Sequence, residues 1–72
     1  MIDITIVIPV YNSEGNLIEL SDQIRHNLQN VNFELILIND QSKDDSWNLI
    51  KQLTNKYKNI IGLNLLKNSG QD

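Results

Sequence analysis

The stretch ELILINDQSKDDSW, which runs from Glu34 to Trp47, decides the fold class of this 72-residue chain. It begins with a continuous apolar run, which is typical of a buried strand. The polar residues that follow read as a turn, after which a helix begins. Three acids lie in or beside this turn: Asp40, Asp44 and Asp45. Either these acids only start the helix, or one of them contacts a ligand.

The same alternation of strand and helix extends in both directions from this stretch. ITIVIPV at Ile4–Val10 is β-branched and nearly continuous in hydrophobicity, which predicts a first strand buried on both faces, as in a parallel sheet. YNSEG after it is turn chemistry. Leu17, Leu20, Ile24 and Leu28 form an apolar stripe at helical spacing. The second predicted helix has an apolar side of its own, formed by Trp47, Ile50, Leu53 and Tyr57. The predicted elements are strands at 4–10, 33–38 and 59–66, helices at 14–29 and 45–57, and a final loop at 67–72.

Caps and connections complete the fold prediction. Ser13 is the expected N-cap of the first helix, and Ser42 or Asp44 that of the second. Strands joined by helices form parallel pairs with right-handed crossovers. We therefore predict an α/β fold: a three-layer βαβαβ half of a doubly wound, parallel-stranded, Rossmann-like sheet.

Composition excludes several classes of function. The formal net charge of −3 argues against nucleic-acid binding, which needs a basic patch. The chain has no cysteine, which rules out disulfides and cysteine-based zinc sites, and its one histidine, His26, cannot form a zinc cluster alone. The longest apolar run is far shorter than the roughly 20 residues of a membrane span. We expect a cytoplasmic location.

A ligand site is expected at one edge of the sheet. In open α/β sheets, ligands bind beyond the carboxyl ends of the strands, and the segments 9–15, 39–45 and 67–72 meet there. This arrangement brings Tyr11, Asp40 and Asn68 toward one rim. The first turn carries no G-x-G-x-x-G motif and the chain no P-loop motif. If a nucleotide binds, Tyr11 offers a flat face to its base, and Asp40 offers a carboxylate to a base N–H or a ribose hydroxyl.

Three segments together resemble a known family. IPVYNSEGNL, LILINDQSKDDS and LLKNSGQ are similar to the start of family 2 glycosyltransferases of the GT-A fold. The final NLLKNSGQD is most similar to the polyprenyl-phosphate branch, which includes dolichol-phosphate mannose synthase-like enzymes. The resemblance covers the whole chain. It implies that residues 1–72 are the incomplete N-terminal, nucleotide-sugar-binding portion of a GT-A domain.

The resemblance also implies roles for individual residues. Tyr11 would pack on the nucleobase of the donor, Ile38 would line the base pocket, and Asp40 would hydrogen-bond the base or ribose. Neither a catalytic residue nor a metal ligand is expected within these 72 residues. The implied substrate-binding residues are Pro9, Tyr11, Asn12, Ile38, Asp40 and Asn68.

This sequence departs from the family pattern at three positions. Asn39 replaces the first acid of a pair, which keeps hydrogen bonding but removes a charge. Gln41 stands where glycine is common, so the backbone of the loop is expected to differ. Ser13 stands where this branch often has a glutamate, which leaves Glu14 as the neighbouring acid.

For the full-length protein, the resemblance implies a glycosyltransferase of the hexosyltransferase type. It would transfer a sugar from a nucleoside diphosphate sugar, with inversion, to a polyprenyl phosphate or a glycan acceptor. A divalent metal, Mg or Mn, would neutralise the leaving diphosphate, with its ligands outside this chain. The 72-residue piece alone is expected to be inactive. A lipid acceptor would place the full protein at the inner face of the membrane.

Other interpretations of the same residues stay open. Asp40 could be a loop acid that bonds the following amides, and Asp44 and Asp45 read as capping and solvated residues. A non-catalytic, receiver-like module would need acids after the first strand, where the sequence has PVYN. An interaction module could self-associate through its unfinished sheet.

Overall fold

The computed structural model describes residues 1–65 and contains the predicted five elements in the predicted order. The α/β, βαβαβ prediction is confirmed. Asn68 and the predicted loop at 67–72 lie outside the described residues. The elements are β1 (Ile4–Val10), α1 (Leu17–Asn27), β2 (Phe33–Asp40), α2 (Ser46–Lys56) and β3 (Ile60–Leu65).

The three strands form one parallel sheet with β2 in the centre. In β1 the last residue, Val10, pairs with Asn39, and in β3 the last residue, Leu65, pairs with Asp40. The carboxyl ends of all three strands therefore lie at the same edge of the sheet. The loops that follow β1 and β2 leave from this edge side by side.

The two faces of the sheet differ in how they are covered. On β2, Phe33, Leu35 and Leu37 are buried on the face that packs against both helices. The other face is apolar but open: Val7 of β1 is 53% exposed and Leu63 of β3 is 47% exposed. Two crossovers of one hand, in the strand order β1-β2-β3, place both helices on one side. Residues 1–65 thus supply two of the three layers of a doubly wound fold.

The first helix begins later than its sequence predicts. Asn16 and Leu17 both donate their backbone N–H groups to the carbonyl of Ser13, so residues 14–16 form a turn and α1 begins at Leu17. Ser13 is not the N-cap: that position is Asn16, and no side chain among residues 1–65 caps α1. The hydroxyl of Ser13 donates to the carbonyl of Tyr11 at 3.1 Å. Leu17 is buried, but Leu20 is 37% exposed, so it contributes little to the predicted apolar stripe.

The second helix packs as predicted. Ile50 and Leu53 are buried, and Trp47 and Tyr57 pack half-buried against the same core. Of the two predicted capping residues, Asp44 is the one that bonds the start of α2, where its Oδ1 accepts the backbone N–H of Ser46 at 3.0 Å. This contact fixes the backbone where the loop after β2 joins α2.

Candidate functional site

Two loops meet at the carboxyl edge of the sheet: loop 1 (residues 11–16) follows β1, and loop 2 (residues 41–45) follows β2. Hydrogen bonds join loop 1 to residues 42–46, and we call this set the clasp. Each of them pairs a side chain with a backbone amide of the other segment. The clasp comprises Asn12 N–H to Ser42 Oγ (2.9 Å), Lys43 N–H to Asn12 Oδ1 (2.7 Å), Ser13 N–H to Ser46 Oγ (2.8 Å), Glu14 N–H to Asp44 Oδ2 (3.0 Å) and Asp45 N–H to Glu14 Oε1 (3.2 Å).

Asp44 is the most connected member of the clasp. Its Oδ2 accepts the backbone N–H of Glu14, and its Oδ1 accepts both the backbone N–H and the hydroxyl of Ser46, the latter at 2.6 Å. The hydroxyl of Ser46, helped by the amides of Glu14 and Ser46, holds the pKa of Asp44 below its usual value. Asp44 is therefore a charged anchor inside the clasp.

Both loops contain a residue with left-handed backbone. Asn12 has φ of 46° and Gln41 has φ of 61°. This region costs most residues roughly 1–2 kcal/mol, although asparagine tolerates it better. Gln41 thus adopts a conformation that favours glycine, and a difference between this loop and the family pattern stays a prediction. Such strained residues persist only where surrounding contacts hold them.

Tyr11 and Asp40 lie next to these strained positions. Val10 and Asn39 are paired in the sheet, and Tyr11 and Asp40 are the residues that directly follow them. The Tyr11 side chain is 58% exposed, and Asp40 is exposed as well. Among residues 1–65 the Asp40 carboxylate has one hydrogen-bond partner, Nε2 of Gln41, at a long 3.4 Å. The Asx-turn interpretation of Asp40 thus has no bond in the described residues, and its carboxylate can accept from a ligand.

Pro9 and Ile38 lie on the open face of the sheet beneath this edge. They are register partners, and Asp40 is two residues after Ile38, so all three share that face. Pro9 is exposed and Ile38 half-buried. Pro9 and Ile38 thus put apolar groups on the same face as the Asp40 carboxylate.

Asn12 has a structural role in the clasp. Its side-chain oxygen is used in the clasp, and its backbone N–H is bonded to Ser42. The structure therefore assigns Asn12 to holding the loops together. Whether it also contacts a substrate stays a prediction.

Asn39, the residue that replaces an acid of the family pattern, lies on the helix-facing side of β2. It is 4% exposed, and its Nδ2 donates to Oδ1 of Asn64 in β3 at 2.7 Å. Its own Oδ1 is buried without a partner among the described residues. A neutral amide suits this position because burying an unpaired charge is costly. This contact can be inferred once the register of β2 and β3 is known, because Asn39 and Asn64 are register partners.

Residues 1–65 contain no group of three or more histidine, cysteine, aspartate or glutamate side chains that could hold a metal ion. The acids at the edge do not converge, because Asp44 is enclosed in the clasp and Asp45 accepts from Nδ2 of Asn48. The described residues thus do not fit a metal centre. None of the helices in this part of the chain is long and apolar enough to cross a membrane.

Several known transferases are similar in sequence to this chain. The chain is 37% identical to a dolichol-phosphate mannosyltransferase of Pyrococcus furiosus over 75% of its own length and 15% of that protein. It is 37% identical to a poly(ribitol-phosphate) beta-glucosyltransferase of Bacillus spizizenii (93% of this chain, 11% of that protein). It is also 37% identical to an undecaprenyl-phosphate 4-deoxy-4-formamido-L-arabinose transferase of Shewanella sediminis (94% and 22%).

These relatives are several times longer than the chain, which spans 11% to 22% of their lengths. They include the polyprenyl-phosphate enzymes that the final segment of the sequence resembles. The sequence profile of the family described as glycosyl transferase family 2 matches residues 5–72, nearly the whole chain. The chain therefore belongs to glycosyl transferase family 2.

Proposed function

We propose that the full-length protein is a glycosyltransferase and that the carboxyl edge of this sheet binds the nucleoside of its sugar donor. The observation that carries the proposal is the pair formed by Tyr11 and Asp40. Both side chains are exposed, both follow directly after residues paired in the sheet, and Tyr11 adjoins Asn12 of the clasp. The receiver-like alternative is set aside, because the chain belongs to a glycosyltransferase family.

The chemistry of the pair suits a nucleoside. The ring of Tyr11 stacks on the base, a contact worth roughly 1–3 kcal/mol in nucleic-acid complexes. The carboxylate of Asp40 accepts a base N–H or a ribose hydroxyl, and a hydrogen bond to a charged group contributes about 1.5–3 kcal/mol. Pro9 and Ile38 exclude water from one side of the base. Uracil and guanine both carry a ring N–H, so these contacts allow either nucleotide.

The acceptor is proposed from the relatives. The names of the three relatives above refer to a dolichol phosphate, a poly(ribitol-phosphate) and an undecaprenyl phosphate. A polyprenyl phosphate is the acceptor that we favour, with a phosphate-bearing glycan polymer as the alternative. Transfer with inversion and a cytoplasmic location, at the membrane surface for a lipid acceptor, belong to the same proposal.

A divalent metal is expected to neutralise the donor diphosphate in the full-length protein. Residues 1–65 offer no cluster of ligands for it, so the proposal assigns no metal-binding role to Asp40, Asp44 or Asp45. What this part of the chain contributes is recognition and orientation of the nucleoside.

The test is sugar transfer by the full-length protein. Purified protein is incubated with Mg²⁺ or Mn²⁺, a radiolabelled UDP-sugar or GDP-sugar, and one of three acceptors: undecaprenyl phosphate, dolichol phosphate or poly(ribitol phosphate). Label in the lipid fraction supports the proposal and identifies the nucleotide. If no donor sugar reaches a lipid or a poly(ribitol phosphate) acceptor while the protein is folded, the proposed function is wrong.

A further inference from the structure

We propose that Asp44 is a positioning residue for the nucleoside site, because its carboxylate fixes the backbone of loop 1 that presents Tyr11. The inference rests on the proposed function, in that a nucleoside is taken as the ligand of Tyr11 and Asp40. Asp44 itself does not contact that ligand in this account. Both of its oxygens are engaged within the protein: Oδ2 by Glu14, and Oδ1 by Ser46.

Asp44 controls two successive amides of loop 1, one directly and one through Ser46. The direct contact is the 3.0 Å bond from the Glu14 N–H to Oδ2. The indirect contact runs through the buried hydroxyl of Ser46, which has a single proton and donates it to Oδ1 of Asp44. The lone pairs of that hydroxyl are then left to accept the N–H of Ser13 at 2.8 Å. A carboxylate, which only accepts, sets the direction of this whole chain of bonds.

Fixing Ser13 and Glu14 fixes the strained residue before them. Asn12 has left-handed backbone, which needs surrounding contacts to persist. Asn12 itself is bonded to Ser42 and Lys43. Its backbone is therefore held by its own bonds and by those of Ser13 and Glu14, the two residues that follow it. Tyr11 lies between Asn12 and the buried Val10, and its carbonyl accepts the hydroxyl of Ser13. The backbone of Tyr11 is therefore set before any ligand arrives.

The consequence is preorganisation. A nucleotide that binds this edge need not order loop 1, and the cost of ordering a loop otherwise reduces affinity. Removing the Asp44 carboxylate keeps the side chains of Tyr11 and Asp40 but removes the bonds by which Asp44 holds loop 1. We expect the nucleotide dissociation constant to rise about tenfold for this reason.

The experiment compares Asp44→Asn and Asp44→Ala with Asp45→Asn in the full-length protein. Asp45 is the matched control, because it is the neighbouring acid and its side chain contacts Nδ2 of Asn48, not loop 1. Nucleotide affinity is measured by calorimetry with UDP and GDP. Hydrogen exchange reports the amides of Ser13 and Glu14, and the amides of β2 report whether the domain is folded.

The expected result is graded. Asp44→Ala loosens the loop 1 amides and weakens nucleotide binding about tenfold, Asp44→Asn has a smaller effect because it keeps one acceptor oxygen, and Asp45→Asn has none. The β2 amides stay protected throughout. If Asp44→Ala fails to fold, Ser46→Ala removes the indirect contact alone, and we expect it to loosen Ser13 and weaken binding in the same direction.

Two results would overturn the inference while leaving the proposed function intact. One is wild-type affinity in Asp44→Ala; the other is weakened binding with no change in the loop 1 amides, which would make Asp44 a direct ligand contact. A wild-type protein that binds neither nucleotide would instead overturn the proposed function, and the assignment of Asp44 to a nucleoside site with it.

Discussion

The side-chain oxygen of Asn12 accepts a 2.7 Å hydrogen bond from the backbone N–H of Lys43, 31 residues further along the chain. This bond ties the end of β1 to the loop after β2. The side-chain amide of Asn12 therefore has a partner within the protein. The family resemblance implies a substrate contact at this same position. The two roles predict different effects of substitution.

We expect Asn12→Ala to destabilise the domain by about 1–2 kcal/mol, because it loses a hydrogen bond and the tolerance of asparagine for left-handed backbone. Asn12→Gly loses the bond but keeps the backbone conformation, so it should cost less. Hydrogen exchange of the β2 amides measures both. Equal costs would show that backbone strain at this position is negligible.

Replacing Gln41 by glycine should stabilise the domain by roughly 0.5–1 kcal/mol. Gln41 has φ of 61°, where a Cβ atom is unfavourable, and glycine removes that strain at the cost of some extra freedom in the unfolded chain. The measurement is the unfolding midpoint in urea. Gln41→Ala is the control, since it keeps the Cβ and should gain nothing. A destabilised Gln41→Gly protein would mean that the glutamine side chain supports the loop.

Adding a methyl group at Gly62 should destabilise the domain. A Cβ there would lie 2.5 Å from Cγ2 of Ile50, a buried residue of α2, and 3.4 Å from Cζ3 of Trp47. Overpacking of this kind costs about 1–3 kcal/mol. Gly15→Ala is the matched control, because no atom lies within 4 Å of its added Cβ and its φ is not positive. Thermal unfolding of the two variants should show a large decrease in the midpoint for Gly62→Ala and little change for Gly15→Ala.

The contribution of Asp44 to stability should disappear in acid. Its pKa in the folded protein lies below the ordinary 3.8, so the unfolded chain takes up the proton first as the pH falls. The stabilisation is complete only at pH values well above the unfolded pKa, from about pH 5, and is lost as the pH falls through the lowered pKa. The measurement is the difference in unfolding midpoint between the wild type and Asp44→Asn at several pH values. A difference that stays constant into strong acid would mean that the charge of Asp44 has no part in the clasp.

The fold could be predicted because each element has a local signature. The β-branched run at Ile4–Val10 and the stripe of Ile50 and Leu53 identify a strand and a helix without any tertiary information. The start of α1 could not be predicted from the sequence. Ser13 has the chemistry of an N-cap, but its hydroxyl bonds the carbonyl of Tyr11. A pattern of residue types does not reveal which of two nearby acceptors or donors a hydroxyl selects.

The site divides in the same way. Strand ends in a parallel sheet bring Tyr11 and Asp40 to one edge, and this follows from topology. The clasp does not follow from topology, since it joins side chains to backbone amides about 30 residues apart. The apolar run of β1 predicted burial on both faces, but Val7 is 53% exposed. Among residues 1–65 only one face of the sheet is covered, because both helices lie on the same side.

The most direct test of the central claim is the affinity of Asp40→Asn for UDP and GDP in the full-length protein, measured by calorimetry beside Asp45→Asn. If the Asp40 carboxylate accepts a hydrogen bond from the nucleoside, Asp40→Asn weakens binding of the preferred nucleotide by about 10- to 100-fold. Asp45→Asn then binds like the wild type. Equal affinities of the wild type and Asp40→Asn for that nucleotide would contradict the account, because the nucleoside would then bind elsewhere.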